Sequence, residues 1–113
     1  MGYVQILDMI SRRGDFSNAA LVARLILLRE VLGYKGRGKQ TQFAAWVGIP
    51  ATTWNNYERG QTRIRDANLY KLKRKTGVTS DWVYFGDPEG LPLKIARLLL
   101  DAEDLPEDLS DAV

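Results

Sequence analysis

The residues best suited to chemistry lie between positions 51 and 59, in the run "ATTWNNYER". At helical spacing, Thr52, Asn55, Asn56 and Arg59 fall on one side, and Trp54, Tyr57 and Glu58 on the other. A solvated helix face usually carries Glu and Lys. This one carries Thr52, Thr53, Asn55 and Asn56 and no acid. Short amides and hydroxyls suit base edges: asparagine can pair bidentately with adenine, and a threonine methyl can touch the thymine methyl. The plainer alternative is an ordinary polar helix face.

Other chemistries are restricted by absences. The 113 residues include no cysteine and no histidine. Disulfides, thiolate nucleophiles, zinc–sulfur sites and imidazole catalysis are therefore excluded. The glycine-rich "YKGRGK" at 34–39 lacks the full phosphate-loop pattern, and no strand precedes it. Asp101, Glu103, Asp104, Glu107, Asp108 and Asp111 lack the ordered spacing of a calcium loop. No metal, no cofactor and no enzymatic activity are expected.

At 45% hydrophobic residues, the chain can bury one modest core. The apolar stretch "LVARLILL" is short and interrupted by Arg24, so no membrane association is expected. The N-terminal "MGYVQILDMISRRG" is apolar before it is basic, the reverse of a secretory signal. Cytoplasmic residence is expected, on the nucleoid if the partner is DNA. The net charge of +2 hides a segregation. Residues 1–86 hold 14 Lys/Arg against 6 Asp/Glu, whereas residues 87–113 hold 2 against 8. A basic body suits a polyanion partner.

These residues must be positioned by helices, because helical spacing recurs and β-branched alternation is nearly absent. The expected fold is all-α: a five-helix domain over 17–86, with helical extensions over 1–16 and 87–113. Ser17 caps a first helix from Asn18 to about Leu32, with Val22, Leu25, Leu28 and Leu32 inward and Gly33 as its stop. Arg29 lies beside that stripe and needs a partner. A basic loop with Lys35, Arg37 and Lys39 leads to a second helix, Gln40 to Val47, with Phe43, Ala44 and Val47 inward. The turn "GIP" joins it to a third helix, Ala51 to Arg59. Asp66 is expected to cap a fourth helix to Thr76, and a fifth runs from Thr79 to Phe85.

Two short helices joined by a glycine turn form a helix-turn-helix pattern. The stretch "KQTQFAAWVGIPATTWNNYERGQTRI", with "RLILLREVLG" before it and "GVTSDWVYFGD" after it, resembles the Cro/repressor-type, XRE-like helix-turn-helix family of phage and bacterial regulators. The resemblance spans roughly residues 20–90, and several motifs carry it together. It implies a repressor-like fold and sequence-specific binding to double-stranded DNA, usually as a homodimer on an inverted-repeat operator.

By position, the resemblance implies that Ala51, Thr52 and Asn56 face base edges. Thr53 and Asn55 stand at the margin, reaching phosphate or bases. Gln40 contacts a phosphate and braces the third helix. Arg59, Arg63 and Arg65 lie where backbone contacts are usual, and Arg29 with Glu58 matches a structural ion pair. Three departures stand out. The loop before Gln40 is longer than usual and adds Lys35 and Arg37, which with Lys39 are expected to reach phosphates. Pro50 replaces the common Ser or Thr cap. Ala51 is too short to hydrogen-bond a base.

Trp46, Trp54 and Trp82 invite a reading as stacking platforms, but Trp54 and Trp82 sit at core spacing. Val4, Leu7 and Ile10 suggest a helix within 1–16. In the C-terminal extension, Pro92 starts a helix over 92–102 in which Ile95, Leu98, Leu99 and Ala102 form an apolar surface. A homodimer contact is the favoured cover, with packing on the same domain as the alternative. The last residues read as a frayed acidic tail. The alternative function is a protein-interaction module, an antitoxin or a regulator's accessory subunit, with a protein partner.

Overall fold

Short capping signals divide this chain into helices. The computed structural model describes Gly14 and residues 16–110, with side chains through Ala102. The helix expected within 1–16 falls almost wholly outside the described residues. Among those described there are six helices and no strand, so the chain is all-α.

Helix α1 spans Asn18–Val31. Ser17 Oγ accepts the Ala20 N–H at 3.2 Å, and Gly33, at φ 100°, turns the chain away after the helix. Helix α2 spans Lys39–Val47 and ends at Gly48, whose φ of 95° favours glycine. Helix α3 spans Ala51–Glu58. Pro50 stands at its N-cap without a side-chain bond, and the Trp54 N–H reaches the Pro50 carbonyl at 3.0 Å to close the first turn. Thus the missing Ser or Thr does not shift the start of the helix.

Helix α4 spans Asp66–Thr76 and helix α5 spans Ser80–Phe85. Thr79 caps α5 by accepting the Trp82 N–H at 3.0 Å. The expected cap on α4 is corrected. Asp66 is the first helical residue, at φ 52°, Arg65 takes the N-cap position, and no side chain caps it. Helix α6 spans Leu93–Ser110, well past the expected end at 102 and through Pro106.

The core is continuous. Leu21, Leu25 and Leu28 of α1 meet Phe43, Ala44 and Val47 of α2, Trp54 and Tyr57 of α3, Leu72 of α4, and Trp82 and Val83 of α5. Full burial of one such large side chain contributes roughly 1.5–3 kcal/mol. Trp54 and Trp82 are both buried, at 0% and 3% exposure, so neither is a stacking platform.

Two features of the core depart from expectation. Arg24 is fully buried, and its Nη1 donates to the Val83 carbonyl at 3.1 Å, tying α1 to α5. The apolar stripe of α6 is covered within the chain: Ile95 and Leu99 are buried in the same core, Leu98 packs against it, and α6 contacts α1. That stripe therefore needs no second copy to cover it. Leu93 and Leu100 of α6 remain exposed.

Candidate nucleic-acid interface

Glu58 organises the region around α3. Its carboxylate accepts Arg29 Nε at 2.7 Å and Arg29 Nη2 at 3.0 Å, a bidentate pair between α3 and α1. It also accepts Gln40 Nε2 at 2.9 Å and the Trp54 indole N–H. Four donors fill the four acceptor sites of one carboxylate. The two charged side chains are 10% and 6% exposed. Arg29 Nη1 goes on to the Tyr34 carbonyl at 2.6 Å, which fixes the start of the basic loop.

Two further bonds hold α3 at its sides. Asn18 Nδ2 donates to the Gly60 carbonyl at 2.8 Å, and Asn68 Nδ2 donates to the Tyr57 hydroxyl at 2.7 Å. Lys71 Nζ reaches the Gly48 carbonyl at 3.1 Å and fastens α4 to the turn before α3. The inward side of α3 is thus anchored to α1, α2 and α4.

Its outward side is free. Ala51 and Thr52 are exposed, and Thr53, Asn55 and Asn56 are half-buried. None of the hydroxyls or amides of Thr52, Thr53, Asn55 and Asn56 bonds to another described residue. A short helix therefore presents unoccupied donors and acceptors from a fixed frame. Such groups can read base edges only if their placement is rigid.

The cations expected near phosphates divide into two groups. Lys35 and Arg37 lie exposed in the loop before α2, where Gly36 and Gly38 adopt φ of 112° and 78°. Lys39 and Gln40 open α2, whose N-terminal turn contains no acid. Arg59 and Arg65 are exposed. Among the described residues, none of these cations has an ion-pair partner. Arg63 is engaged differently: its Nη1 donates to the Phe16 carbonyl at 3.3 Å, and its guanidinium lies 6.0 Å from the Tyr84 ring centre. Gln40 is brought together with Glu58 as the brace the resemblance implied.

The resemblance implied the pair of Arg29 with Glu58 and the brace from Gln40, but the Trp54 indole as a further donor to Glu58 was missed. Trp54 and Glu58 are four apart on one helix, a spacing that lets an indole N–H reach a carboxylate. Also missed were the surroundings of Trp46. This half-exposed indole stacks on Tyr34 at 5.8 Å, with Lys75 Nζ at 5.5 Å from its ring centre. Both aromatics line a groove of about 440 Å³ with Leu32, Lys75, Lys94 and Leu98. No protein-family model, curated protein or solved structure matches the chain.

Proposed function

We propose that this chain is a sequence-specific regulator of transcription that binds double-stranded DNA, a repressor of the XRE-like helix-turn-helix type. In this reading α3 enters the major groove. Thr52, Asn55 and Asn56 address base edges, with Ala51 against a thymine methyl. Lys35, Arg37, Lys39, Gln40, Thr53, Arg59 and Arg65 meet phosphates. Two copies bind an inverted repeat with half-sites about one DNA turn apart.

One observation carries this reading above the rest. The outward polar groups of α3 have no bond to another described residue, while its inward face is fixed through Glu58 to α1 and α2. The charge distribution supports it: among the described residues, Lys35, Arg37 and Lys39 before α3 in sequence and Arg59 and Arg65 after it have no carboxylate partner. Phosphate contacts supply affinity, and base contacts supply specificity.

The test is selection from a pool of random duplexes at two salt concentrations. The proposal requires recovery of an inverted-repeat motif, with affinity falling steeply as salt rises. Weak binding without a motif would refute it.

A second reading, a protein-interaction module of the antitoxin or accessory type, is favoured by the groove beside Trp46. Truncation after Gly90 does not separate the two, because it removes Ile95 and Leu99 from the core. Trp46→Ser with Lys75→Glu tests this reading. Loss of function with DNA binding intact would support it.

A further inference from the structure

Trp46 is 37% exposed, yet its indole is held in place. It stacks on Tyr34 at 5.8 Å and lies 5.9 Å from the buried ring of Phe43. A tryptophan supported in this way beside an open groove is a preformed anchor for a partner.

The groove of about 440 Å³ next to it has two kinds of lining. Leu32, Pro92, Ile95 and Leu98 are apolar, and Lys75 and Lys94 are charged and exposed. Lys75 also lines a second groove, of about 320 Å³, with Val47, Lys71 and Arg74. An apolar groove thus passes into a cationic one, with Lys75 common to both.

No acid lines either groove. Among the described residues, Lys71, Arg74, Lys75 and Lys94 have no carboxylate partner. Their other contacts leave the charge in place. Lys71 Nζ donates to the Gly48 carbonyl at 3.1 Å, Lys75 Nζ lies 5.5 Å from the Trp46 ring centre, and the Arg74 guanidinium lies 6.0 Å from that of Tyr70. Asp101, the first acid of α6, stands about two turns beyond Lys94 and lines neither groove.

We infer that this track docks an acidic peptide segment of another protein. One bulky apolar side chain of the segment packs against Trp46, and its carboxylates run along Lys94, Lys75, Arg74 and Lys71. Charge complementarity sets the sign of the partner. The apolar lining selects a side chain over a bare anion, because phosphates alone would leave it uncovered. A single-stranded nucleic acid fits less well. Tyr34 already stacks on the indole, and the other apolar walls are aliphatic and offer no ring for a base.

The inference deepens the protein-interaction reading by naming the partner's chemistry. Its test contains no duplex, so a failure here would leave the base-reading role of α3 untouched. The protein-interaction reading would also survive such a failure if Trp46→Ser with Lys75→Glu still lost function with DNA binding intact.

The experiment is selection by the full chain from a displayed library of random peptides. Recovered peptides are synthesised and titrated by fluorescence anisotropy. Enrichment of sequences that join an aromatic or large aliphatic residue to several acids is expected, with dissociation constants below about 100 µM that rise between about 50 mM and about 500 mM salt. Two variants locate the contact: Trp46→Ser, and Lys75→Glu with Lys94→Glu. Circular dichroism checks that both keep their helix content. Each is expected to weaken binding at least about tenfold. The charge-reversed variant is also expected to bind the same peptide remade with lysine at every acidic position, which a damaged fold would not produce. Recovery of no peptide, recovery of peptides without acids, or binding left unchanged by either variant would overturn the inference. So would oligothymidylate that displaces the peptide and itself binds less tightly to Trp46→Ser, since the groove would then belong to single-stranded nucleic acid.

Discussion

Arg29 and Glu58, 29 positions apart in sequence, close on each other through two hydrogen bonds of 2.7 and 3.0 Å. This contact fixes the end of α3 to α1, and Gln40 and Trp54 complete it. The frame that presents Thr52, Asn55 and Asn56 therefore rests on one carboxylate.

Removing that carboxylate strands a buried guanidinium. Glu58→Ala is expected to lower the unfolding free energy by about 3–5 kcal/mol. Gln40→Ala removes one neutral donor and is expected to cost only about 1 kcal/mol. Denaturant unfolding of both variants checks the ranking.

Two glycines of similar conformation should respond differently to alanine. Gly38 has φ 78° and open space where a Cβ would stand. Gly77 has φ 87°, and a Cβ there would lie 2.9 Å from Pro92 Cγ. Gly38→Ala incurs the left-handed backbone cost alone, about 1–2 kcal/mol. Gly77→Ala adds a clash with the segment leading into α6 and is expected to lower the melting temperature further. Thermal unfolding of the pair decides it.

Burial raises the Tyr84 hydroxyl above its usual value of 10.0; Arg63 and Arg65 oppose the rise, and Asp66 and Tyr57 add to it. The hydroxyl donates to the Ile64 carbonyl at 2.6 Å. The folded chain thus holds this proton more tightly than the unfolded chain. The resulting stability is fully present below the unfolded value and is lost as pH rises through the folded one. Denaturant unfolding between neutral pH and the range above 10.0 is expected to show a smaller alkaline loss in Tyr84→Phe than in the wild type.

Helix ends were the most legible feature of the sequence. Ser17, Gly33 and Gly48 act locally, through a cap or positive φ, and the helices begin or end beside them. That Arg29 needs a partner was legible because a charge beside an apolar stripe needs an opposite charge; that Glu58 supplies it was what the resemblance implied, and the two side chains do pair. What sequence could not give depends on the path of the chain. Arg24 reads as a surface break in "LVARLILL", yet Val83 supplies a carbonyl for it from α5. Ile95 and Leu99 were assigned to a partner copy because spacing identifies an apolar stripe and not its cover. Asp66 has the composition of a cap but adopts φ 52° inside the first turn.

Under the proposed function, the loop arginines are expected to separate stability from DNA affinity. Arg59→Ala is expected to weaken binding to all duplexes and to reduce the salt slope by about 1. Arg63→Ala removes the contacts with Phe16 and Tyr84 and is expected to change the melting temperature more than the salt slope. Binding titrations over salt, run beside thermal melts, distinguish the two.

The central claim is that the outward face of α3 reads bases. Its most direct test compares wild type with Thr52→Ala/Asn56→Ala on the selected duplex and on a scrambled one. Each lost bidentate contact is worth about 1–3 kcal/mol of discrimination. The double variant is expected to lose its preference for the selected duplex while its melting temperature and its affinity for the scrambled duplex stay unchanged. A variant that keeps the wild-type preference, or a wild-type chain that binds both duplexes equally, would contradict it.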